Sequence, residues 1–294
     1  MKLTKQHTLP RIFRKTLLYK TNVEYGDFCI NHVEGCSHGC RYPCYAMNIK
    51  IRSGSVKNYQ EWIKPRIVGN ALELLDKEIP KYKKQINFVH LCFMTDPFMY
   101  KQPEVIGLTL KIIERLNKDN IRCTVLTKGI YSKALLNKKK YSVRNEYGIT
   151  IISLKERFKE IFEPFSAPFI ERIDALKMLH SAGLHTWVSI EPYPTPNIVQ
   201  QDLRELLSYI SFVDKIIFGR WNYNALVSKY KENKEFYDES ANIVESFCKD
   251  KKIEYHIKFG TVTKKQQVRI KTEKLFEKDN TQKYIPSLLP LSYA

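Results

Sequence analysis

Short apolar segments alternate with longer amphipathic segments along most of this 294-residue chain. The strand-like segments are residues 27–33, 87–93, 121–126, 147–154, 184–191, 213–219 and 253–257. The segments with helical periodicity are residues 65–78, 103–117, 131–137, 168–182, 199–210 and 235–249. Because strand and helix alternate about six times, the pattern predicts a parallel sheet joined by right-handed helical crossovers.

A barrel-type arrangement fits this alternation better than a nucleotide-binding open sheet. No glycine-rich phosphate loop follows any of the strand-like segments. We therefore predict an α/β fold, a partial (β/α)6-type barrel. Residues 26–258 would form this single domain, with short basic extensions at residues 1–25 and 259–294. In such a barrel the active site lies at the carboxyl ends of the strands, so we expect the functional residues there.

The composition excludes several classes of protein. With 43% hydrophobic and 12% aromatic residues, the chain is globular rather than disordered or fibrous. Its longest apolar stretch, residues 88–94, is too short to span a bilayer, and the N-terminus lacks the apolar core of a secretory signal. We therefore expect a cytoplasmic protein with no membrane partner.

The formal net charge is +18, from 49 basic and 31 acidic residues. A surplus of this size attracts polyanions, so nucleic acid is a candidate partner. However, 36 of the 49 basic residues are Lys, whereas recognition of phosphates and bases relies strongly on Arg. A well-solvated basic surface explains the charge nearly as well.

Three of the seven cysteines fall within nine residues, in a glycine-containing loop after the first strand-like segment. Three thiolates at Cys36, Cys40 and Cys44 suit a [4Fe–4S] cluster with one iron left open to another ligand. Structural zinc with His38 as a fourth ligand is the alternative, although zinc prefers Cys-x2-Cys pairs. The remaining cysteines are interpreted as buried apolar residues: Cys29, Cys92, Cys123 and Cys248.

Several motifs resemble one enzyme family. The sequence NHVEGCSHGC at residues 31–40 is similar to the cluster-binding loop of radical S-adenosylmethionine (SAM) enzymes, in the branch that includes spore photoproduct lyase. TDPF at residues 95–98 resembles that branch's Thr-Asp-Pro-aromatic motif. Residues 127–128 resemble its Thr-Lys-Ser, from which Gly129 departs. Residues 163–172 and 190–192 also have counterparts there, so that the resemblance extends over residues 19–258.

One departure from the family concerns the cysteine spacing. The family's common pattern is Cys-x3-Cys-x2-Cys, whereas this chain has Cys-x3-Cys-x3-Cys. We interpret Pro43 as the extra residue, whose fixed φ would tighten the loop so that Cys44 still faces the cluster. The family's aromatic residue before the last cysteine, which contacts adenine, corresponds here to Tyr42.

The resemblance implies a definite chemistry. The open iron would bind SAM, and one-electron cleavage would give methionine and a 5′-deoxyadenosyl radical that abstracts hydrogen from a substrate. The implied cofactors are a [4Fe–4S] cluster and SAM, and the implied partners are an electron donor such as a flavodoxin or ferredoxin and, as one substrate class, nucleic acid. The reaction would be that of a lyase or a transferase.

The positions after the strands indicate residues that would contact SAM. Thr95 and Asp96 would bind its ammonium group. Lys128 would either neutralise its carboxylate or be a solvated loop lysine, and Glu191 would accept its ribose hydroxyls. Ser153 would bind other polar groups of SAM.

Other residues have competing interpretations. Arg172 is expected to form a structural ion pair, and His90 is expected to be a core histidine with its hydrogen bonds satisfied. In GRWNYN at residues 219–224, Trp221 and Tyr223 would either stack on a nucleobase or pack at the barrel rim. A non-catalytic iron–sulfur or zinc protein that binds nucleic acid is the alternative to a radical SAM enzyme.

Overall fold

The computed structural model describes residues 8–23, 26–42 and 44–267. The strands are β1 (Arg11–Ile12), β2 (Leu18–Lys20), β3 (Phe28–Ile30), β4 (Val33–Glu34), β5 (Arg66–Val68), β6 (Phe88–Leu91), β7 (Arg122–Thr127), β8 (Glu146–Thr150), β9 (His185–Tyr193), β10 (Lys215–Arg220) and β11 (Glu254–Ile257). The helices are α1 (Tyr45–Arg52), α2 (Tyr59–Trp62), α3 (Ala71–Tyr82), α4 (Pro103–Lys118), α5 (Glu156–Phe162), α6 (Phe169–Ser181), α7 (Leu203–Tyr209), α8 (Ala225–Lys229) and α9 (Asn233–Lys251).

The larger of two sheets has eight strands in the order β11-β10-β9-β8-β7-β6-β3-β2. All neighbours from β11 to β3 are parallel, and β2 adds an antiparallel edge strand beside β3. Within the described residues β2 and β11 remain separate edges, so the sheet is open. The predicted α/β architecture of a partial barrel is thereby confirmed, and each of the seven predicted strands is present.

The smaller sheet, β1-β5-β4, lies next to the start of the cysteine loop. β5 pairs parallel with β1 and antiparallel with β4, which leads directly into that loop. Within the predicted N-terminal extension, residues 1–25, β1 and β2 pair with the two sheets. Leu17 is fully buried, and the N–H groups of Leu17 and Leu18 donate to the carboxylate of Glu78 in α3. The boundary at residue 258 stays a prediction.

The helices pack against the sheet and close a continuous core. α4 begins at Pro103 as predicted, where the missing N–H costs no hydrogen bond. The helix predicted at 65–78 is wrong at its start, because residues 66–68 pair as β5 and α3 begins only at Ala71. The helix predicted at 131–137 is a short 3-10 turn, Lys133–Leu136. Among the described residues, no helix combines the length and apolar character needed to cross a membrane.

Candidate functional site

The cysteine loop runs from the end of β4 to the start of α1, and two glycines shape it. Gly35 has φ +81°, and a Cβ there would lie 2.7 Å from the carbonyl oxygen of Trp62. That same carbonyl accepts the N–H of Cys36 at 2.8 Å. Gly39 has φ +58°, and a Cβ there would lie 2.7 Å from the hydroxyl of Tyr59, which donates to the Gly39 carbonyl. Only glycine therefore lets the loop fold this closely against α2.

The three loop thiols lie close enough to influence one another's ionisation. Burial raises the pKa of Cys36 well above its usual value, and Asp96, Cys40 and Cys44 raise it further. Burial also raises the pKa of Cys40 to about 12, against the lowering effect of Lys128. All three cysteines are free of disulfide bonds. Burial disfavours the thiolate, which is the form that binds metals. A bound metal cation would stabilise the thiolates, because it would bring positive charge into this buried loop.

His38 fixes the loop to the segment after β6. Its Nε2 accepts the backbone N–H of Tyr100 at 2.8 Å, and its Nδ1 faces Oδ2 of Asp96 at 3.4 Å. Burial lowers the pKa of His38 to about 4 although Asp96 opposes this shift, so the ring is neutral with its proton on Nδ1. Since both ring nitrogens are engaged, His38 acts as a positioning residue in this arrangement, which disfavours it as a fourth zinc ligand.

Asp96, buried just after β6, connects three segments of the site. Its Oδ1 accepts the N–H of Phe98 at 2.9 Å and the hydroxyl of Thr127 at 2.6 Å. Its Oδ2 accepts the N–H of Lys128 at 2.7 Å and faces His38. Donors from the chain therefore surround both oxygens. This arrangement holds the cysteine loop against the ends of β6 and β7, and the predicted contact of Asp96 with SAM stays a prediction.

Close packing around Asp96 explains why Gly129 stands where the Thr-Lys-Ser motif has serine. A Cβ at Gly129 would lie 1.8 Å from the carbonyl oxygen of Phe98. The N–H of Gly129 donates to the hydroxyl of Thr127 at 2.7 Å. A serine here would overlap the backbone after β6, so this version of the motif requires glycine.

A buried ionic cluster lies beneath the loop. Glu163 and Arg172 are fully buried, and Nη2 of Arg172 donates to Oε2 of Glu163 at 2.7 Å. Nζ of Lys128 lies 3.9 Å from Oε1 of Glu163, which also accepts the hydroxyl of Tyr42 at 3.1 Å. Burial raises the pKa of Glu163, but Arg172 and Lys128 outweigh it, so the pKa is lowered and the carboxyl is ionised.

The structural ion pair expected for Arg172 is confirmed by this cluster. Its guanidinium also donates to the carbonyl oxygens of Ala167 and Thr150, at 2.8 Å and 3.0 Å. Glu163 is a residue that the sequence analysis did not single out. Its position at the start of the family-like segment 163–172 was the available signal.

Tyr42 joins the cysteine loop to the segment after β10. Its ring is 7% exposed and meets the ring of Trp221 edge-on at a centroid distance of 5.4 Å. A hydrogen bond with Tyr42 lowers the pKa of Cys40, against the dominant effect of burial. Trp221 is 2% exposed, so it packs at the rim rather than offering a free stacking surface. Pro43 lies outside the described residues.

Two other residues that the sequence predicts to contact SAM form hydrogen bonds with the backbone. The hydroxyl of Thr95, which is partly exposed, donates to the carbonyl oxygen of Val33 at 3.3 Å. Ser153 is fully buried, and its hydroxyl accepts the N–H of Lys155 at 3.1 Å. Thr95 therefore lies at the surface of the site, whereas Ser153 lies beneath it.

Glu191 lies near the end of β9 with part of its side chain exposed. Both of its carboxylate oxygens accept from Nζ of Lys258 at 2.8 Å. A Cβ at Gly219 would lie 2.9 Å from the Glu191 side chain, so the neighbouring strand leaves it just enough room. Its predicted contact with ribose stays a prediction.

The residues interpreted as core lie in the core. The four cysteines outside the loop are buried: Cys29, Cys92, Cys123 and Cys248. His90 is 2% exposed and stacks on Phe93, with ring centroids 3.7 Å apart. Burial lowers the pKa of His90 to about 3, so its ring is neutral. The expectation that its hydrogen bonds are satisfied is wrong for Nδ1, which has no hydrogen-bond partner in the structure.

The family model of the radical SAM superfamily matches residues 30–210. The matched region contains the whole cysteine loop and more than half of the chain. The chain belongs to the radical SAM superfamily. The resemblance inferred from the motifs is therefore confirmed.

Two curated relatives of this radical SAM protein carry the name of uncharacterized proteins. The protein ORF301 of Acidianus two-tailed virus is 26% identical over 193 residues, which cover 62% of this chain and 61% of that protein. The protein MJ0683 of Methanocaldococcus jannaschii is 27% identical over 184 residues, which cover 62% of this chain and 66% of that protein. The matches span somewhat less than two thirds of each relative's length.

Solved structures of spore photoproduct lyase share the fold. A mutant with bound AdoMet and dinucleoside spore photoproduct has a TM-score of 0.62 at 16% identity, covering 84% of this chain and 80% of that chain. Another structure, complexed with dinucleoside spore photoproduct, also has a TM-score of 0.62, at 17% identity, covering 85% and 81%. This likeness shows that the chain has the partial-barrel fold of a radical SAM protein resembling spore photoproduct lyase.

Proposed function

We propose that this chain is a radical SAM enzyme in which Cys36, Cys40 and Cys44 hold a [4Fe–4S] cluster. The observation that carries the proposal is the loop of three free, mutually interacting thiols, shaped by glycines at the carboxyl edge of the sheet. Membership in the superfamily supports it. A loop with three cysteine ligands leaves one iron open.

The donor set of the loop suits such a cluster better than one metal ion. Among the described residues, no group of three or more His, Cys, Asp or Glu side chains is arranged to hold a metal ion. In a [4Fe–4S] cluster each thiolate binds its own iron atom, so three cysteines suffice when another ligand completes the fourth iron. The adjacent His38 has both ring nitrogens engaged.

When bound, the cluster and SAM supply one-electron cleavage of a carbon–sulfur bond, which gives methionine and a 5′-deoxyadenosyl radical that abstracts hydrogen from the substrate. The chain's part is to bind, orient and exclude water. We propose that Lys128 neutralises the carboxylate of SAM, because its side chain is 18% exposed and Glu163 and Cys40 raise its pKa against burial. Thr95 would bind the ammonium group and Glu191 the ribose hydroxyls.

For the three buried residues of the predicted set we propose supporting roles. Asp96 orients His38 and the backbone of Lys128 rather than contacting SAM, because donors from the chain already surround its oxygens. Tyr42 links Cys40 to Glu163 through its hydroxyl, and Ser153 holds the turn after β8. We propose these roles in place of the direct contacts with SAM, which stay predictions from the sequence.

The proposal also covers partners and location. The enzyme would take its electron from a donor of the flavodoxin or ferredoxin kind and act as a lyase or transferase. We propose nucleic acid as the substrate class, because the net charge of +18 favours a polyanion and similar structures hold a dinucleoside spore photoproduct. Free thiols suit the reducing cytoplasm.

Single Cys→Ala variants test the cluster ligands. After anaerobic reconstitution with iron and sulfide, we expect Cys36→Ala, Cys40→Ala and Cys44→Ala each to lose most of the iron and acid-labile sulfide that the unsubstituted protein binds. Cys248→Ala is the matched control, because Cys248 is a fully buried cysteine in α9, outside the cysteine loop. An intact, SAM-reactive cluster in Cys44→Ala would refute the assignment.

A non-catalytic iron–sulfur or zinc protein that binds nucleic acid is the second candidate, favoured by the basic charge of +18. Such a protein would also lose metal in the cysteine variants. It would differ in forming no 5′-deoxyadenosine from SAM after reduction, although it retained its metal.

A further inference from the structure

A loop after β10 holds an aromatic side chain out in solvent. We call residues 220–224 the 220–224 loop. Tyr223 is 93% exposed and has φ +58°, a left-handed conformation that is uncommon for a bulky residue. It is fixed on both sides, since Trp221 is buried and the side chain of Asn224 accepts the N–H of Leu226 at 2.8 Å at the start of α8. The exposed ring is therefore presented by an ordered backbone.

The same loop begins with Arg220, which forms no ion pair with any described residue. The guanidinium of Arg220 lies over the ring of Tyr237, 5.4 Å from its centroid. In the part of the chain that the structure describes, Arg220 has no carboxylate within ion-pair distance, and its buried Nε has no hydrogen-bond partner. A guanidinium in this state is available to an incoming anion.

The 220–224 loop lies beside the proposed cluster site. The ring of Trp221, two residues before Tyr223, packs against the ring of Tyr42 in the cysteine loop, with the ring centroids 5.4 Å apart. The adjacent parallel strand β11 is followed by Phe259, which is 73% exposed. Two largely exposed aromatic rings therefore follow neighbouring strands at the carboxyl edge of the sheet, where the cysteine loop also lies.

We propose that the 220–224 loop binds the nucleic-acid substrate at an unpaired nucleotide, with Tyr223 stacked on the base and Arg220 paired with a phosphate. This inference rests on the proposed function and deepens it. Exposed aromatic rings combined with arginine are typical of single-strand binding, because every base has a face on which to stack. A base inside a duplex is already stacked, so the contact requires a single-stranded or flipped nucleotide.

A protein partner would also use tyrosine and arginine at its contact surface. The net charge of +18 favours the polyanion. DNA and RNA share the base and phosphate chemistry that this loop would recognise, so the test includes both.

Fluorescence anisotropy with the reconstituted full-length protein tests the contact. The probes are a labelled 12-nucleotide single strand of DNA, the same strand in RNA, and a DNA duplex. We expect Tyr223→Ala to weaken single-strand binding about tenfold or more and Tyr223→Phe to retain it, because the ring provides the stacking. We expect Arg220→Gln to lower the slope of log K against log salt by about 1, whereas Tyr223→Ala leaves the slope unchanged.

The matched control is Tyr209→Ala, which removes another exposed tyrosine, 49% exposed, at the end of α7 and outside the 220–224 loop. Its single-strand affinity should equal that of the unsubstituted protein. Three results would overturn the inference: unchanged binding in Tyr223→Ala, an equal loss in Tyr209→Ala, or a duplex bound as tightly as a single strand. Equally tight duplex binding would indicate binding by general charge, and an equal loss in Tyr209→Ala would show that the effect is not specific to this loop. Unchanged binding in Tyr223→Ala would leave the loop to a protein partner.

The proposed function fails separately from this inference. If the unsubstituted protein forms 5′-deoxyadenosine from SAM but Tyr223→Ala binds the single strand with unchanged affinity, only the proposed stacking contact of Tyr223 is refuted. If binding depends on Tyr223 but no 5′-deoxyadenosine forms, the contact stands and the enzymatic proposal falls.

Discussion

Ionised side chains lie inside the protein directly beneath the cysteine loop. Removing charges from water is costly unless partners and hydrogen bonds compensate. Glu163 is compensated by Arg172, Lys128 and the hydroxyl of Tyr42. The Glu163–Arg172 ion pair therefore links α6 to the region beneath the cysteine loop. It stabilises the fold only when both residues are present.

Arg172→Met tests this dependence. The substitution leaves the buried Glu163 carboxylate with the more distant Lys128 and with hydroxyl donors such as Tyr42, so we expect the free energy of unfolding in urea to fall by about 3–5 kcal/mol. The matched control is Arg204→Met on the exposed face of α7, which should change it by less than about 0.5 kcal/mol. A loss below about 1 kcal/mol in Arg172→Met would show that the pair does not hold the site together.

The site is assembled from loops that follow different strands. The cysteine loop follows β4, Asp96 follows β6, and Lys128 follows β7. Polar contacts of Asp96 join these three segments. The contact between the rings of Tyr42 and Trp221 adds the segment after β10. Close approach of backbones at this edge explains why glycine is required at particular positions.

Gly129→Ala tests that requirement. The added Cβ would meet the Phe98 carbonyl at 1.8 Å, so the loop after β6 must shift, and we expect a loss of about 1–3 kcal/mol in the free energy of unfolding. Gly107→Ala in α4 is the control, because a Cβ there meets nothing within 4 Å and alanine favours a helix by about 1 kcal/mol. Equal effects of the two substitutions would mean that the contact at Gly129 relaxes without cost.

The sequence predicted those elements whose hydrophobic period matches their burial. The parallel strands are examples because they are short continuous apolar runs that are buried on both faces, and α4 is an example because its buried residues recur at helical spacing. The short helix α1 was missed because Tyr45 and Ile49 are exposed, so no apolar stripe marks it. β5 was read as helix because its pairing with β1 and β4 joins segments that are distant in sequence.

The same limit applies to the candidate site. Cysteine spacing identified the loop, and strand ends identified the region of Asp96 and Lys128. Which side chains are buried and which stay accessible depends on tertiary contacts that spacing does not encode. Glu163 and the engaged state of His38 emerged only from those contacts.

At the scale of the whole molecule, the curved open sheet brings the cysteine loop and the 220–224 loop together. β3 and β10 are separated by four strands in the sheet order, yet Tyr42 and Trp221 are in contact. A radical formed at the cysteine loop would therefore arise beside the surface that we assign to substrate. The charge of +18 then has a local counterpart in Arg220 rather than being only a property of the whole surface.

The formation of 5′-deoxyadenosine tests the central claim most directly. The protein is reconstituted anaerobically, reduced with dithionite and supplied with SAM, and the products are separated by liquid chromatography. We predict 5′-deoxyadenosine and methionine from the unsubstituted protein and from Cys248→Ala, and neither product from Cys40→Ala. Absence of 5′-deoxyadenosine from an unsubstituted protein that carries a full complement of iron and sulfide would contradict the account.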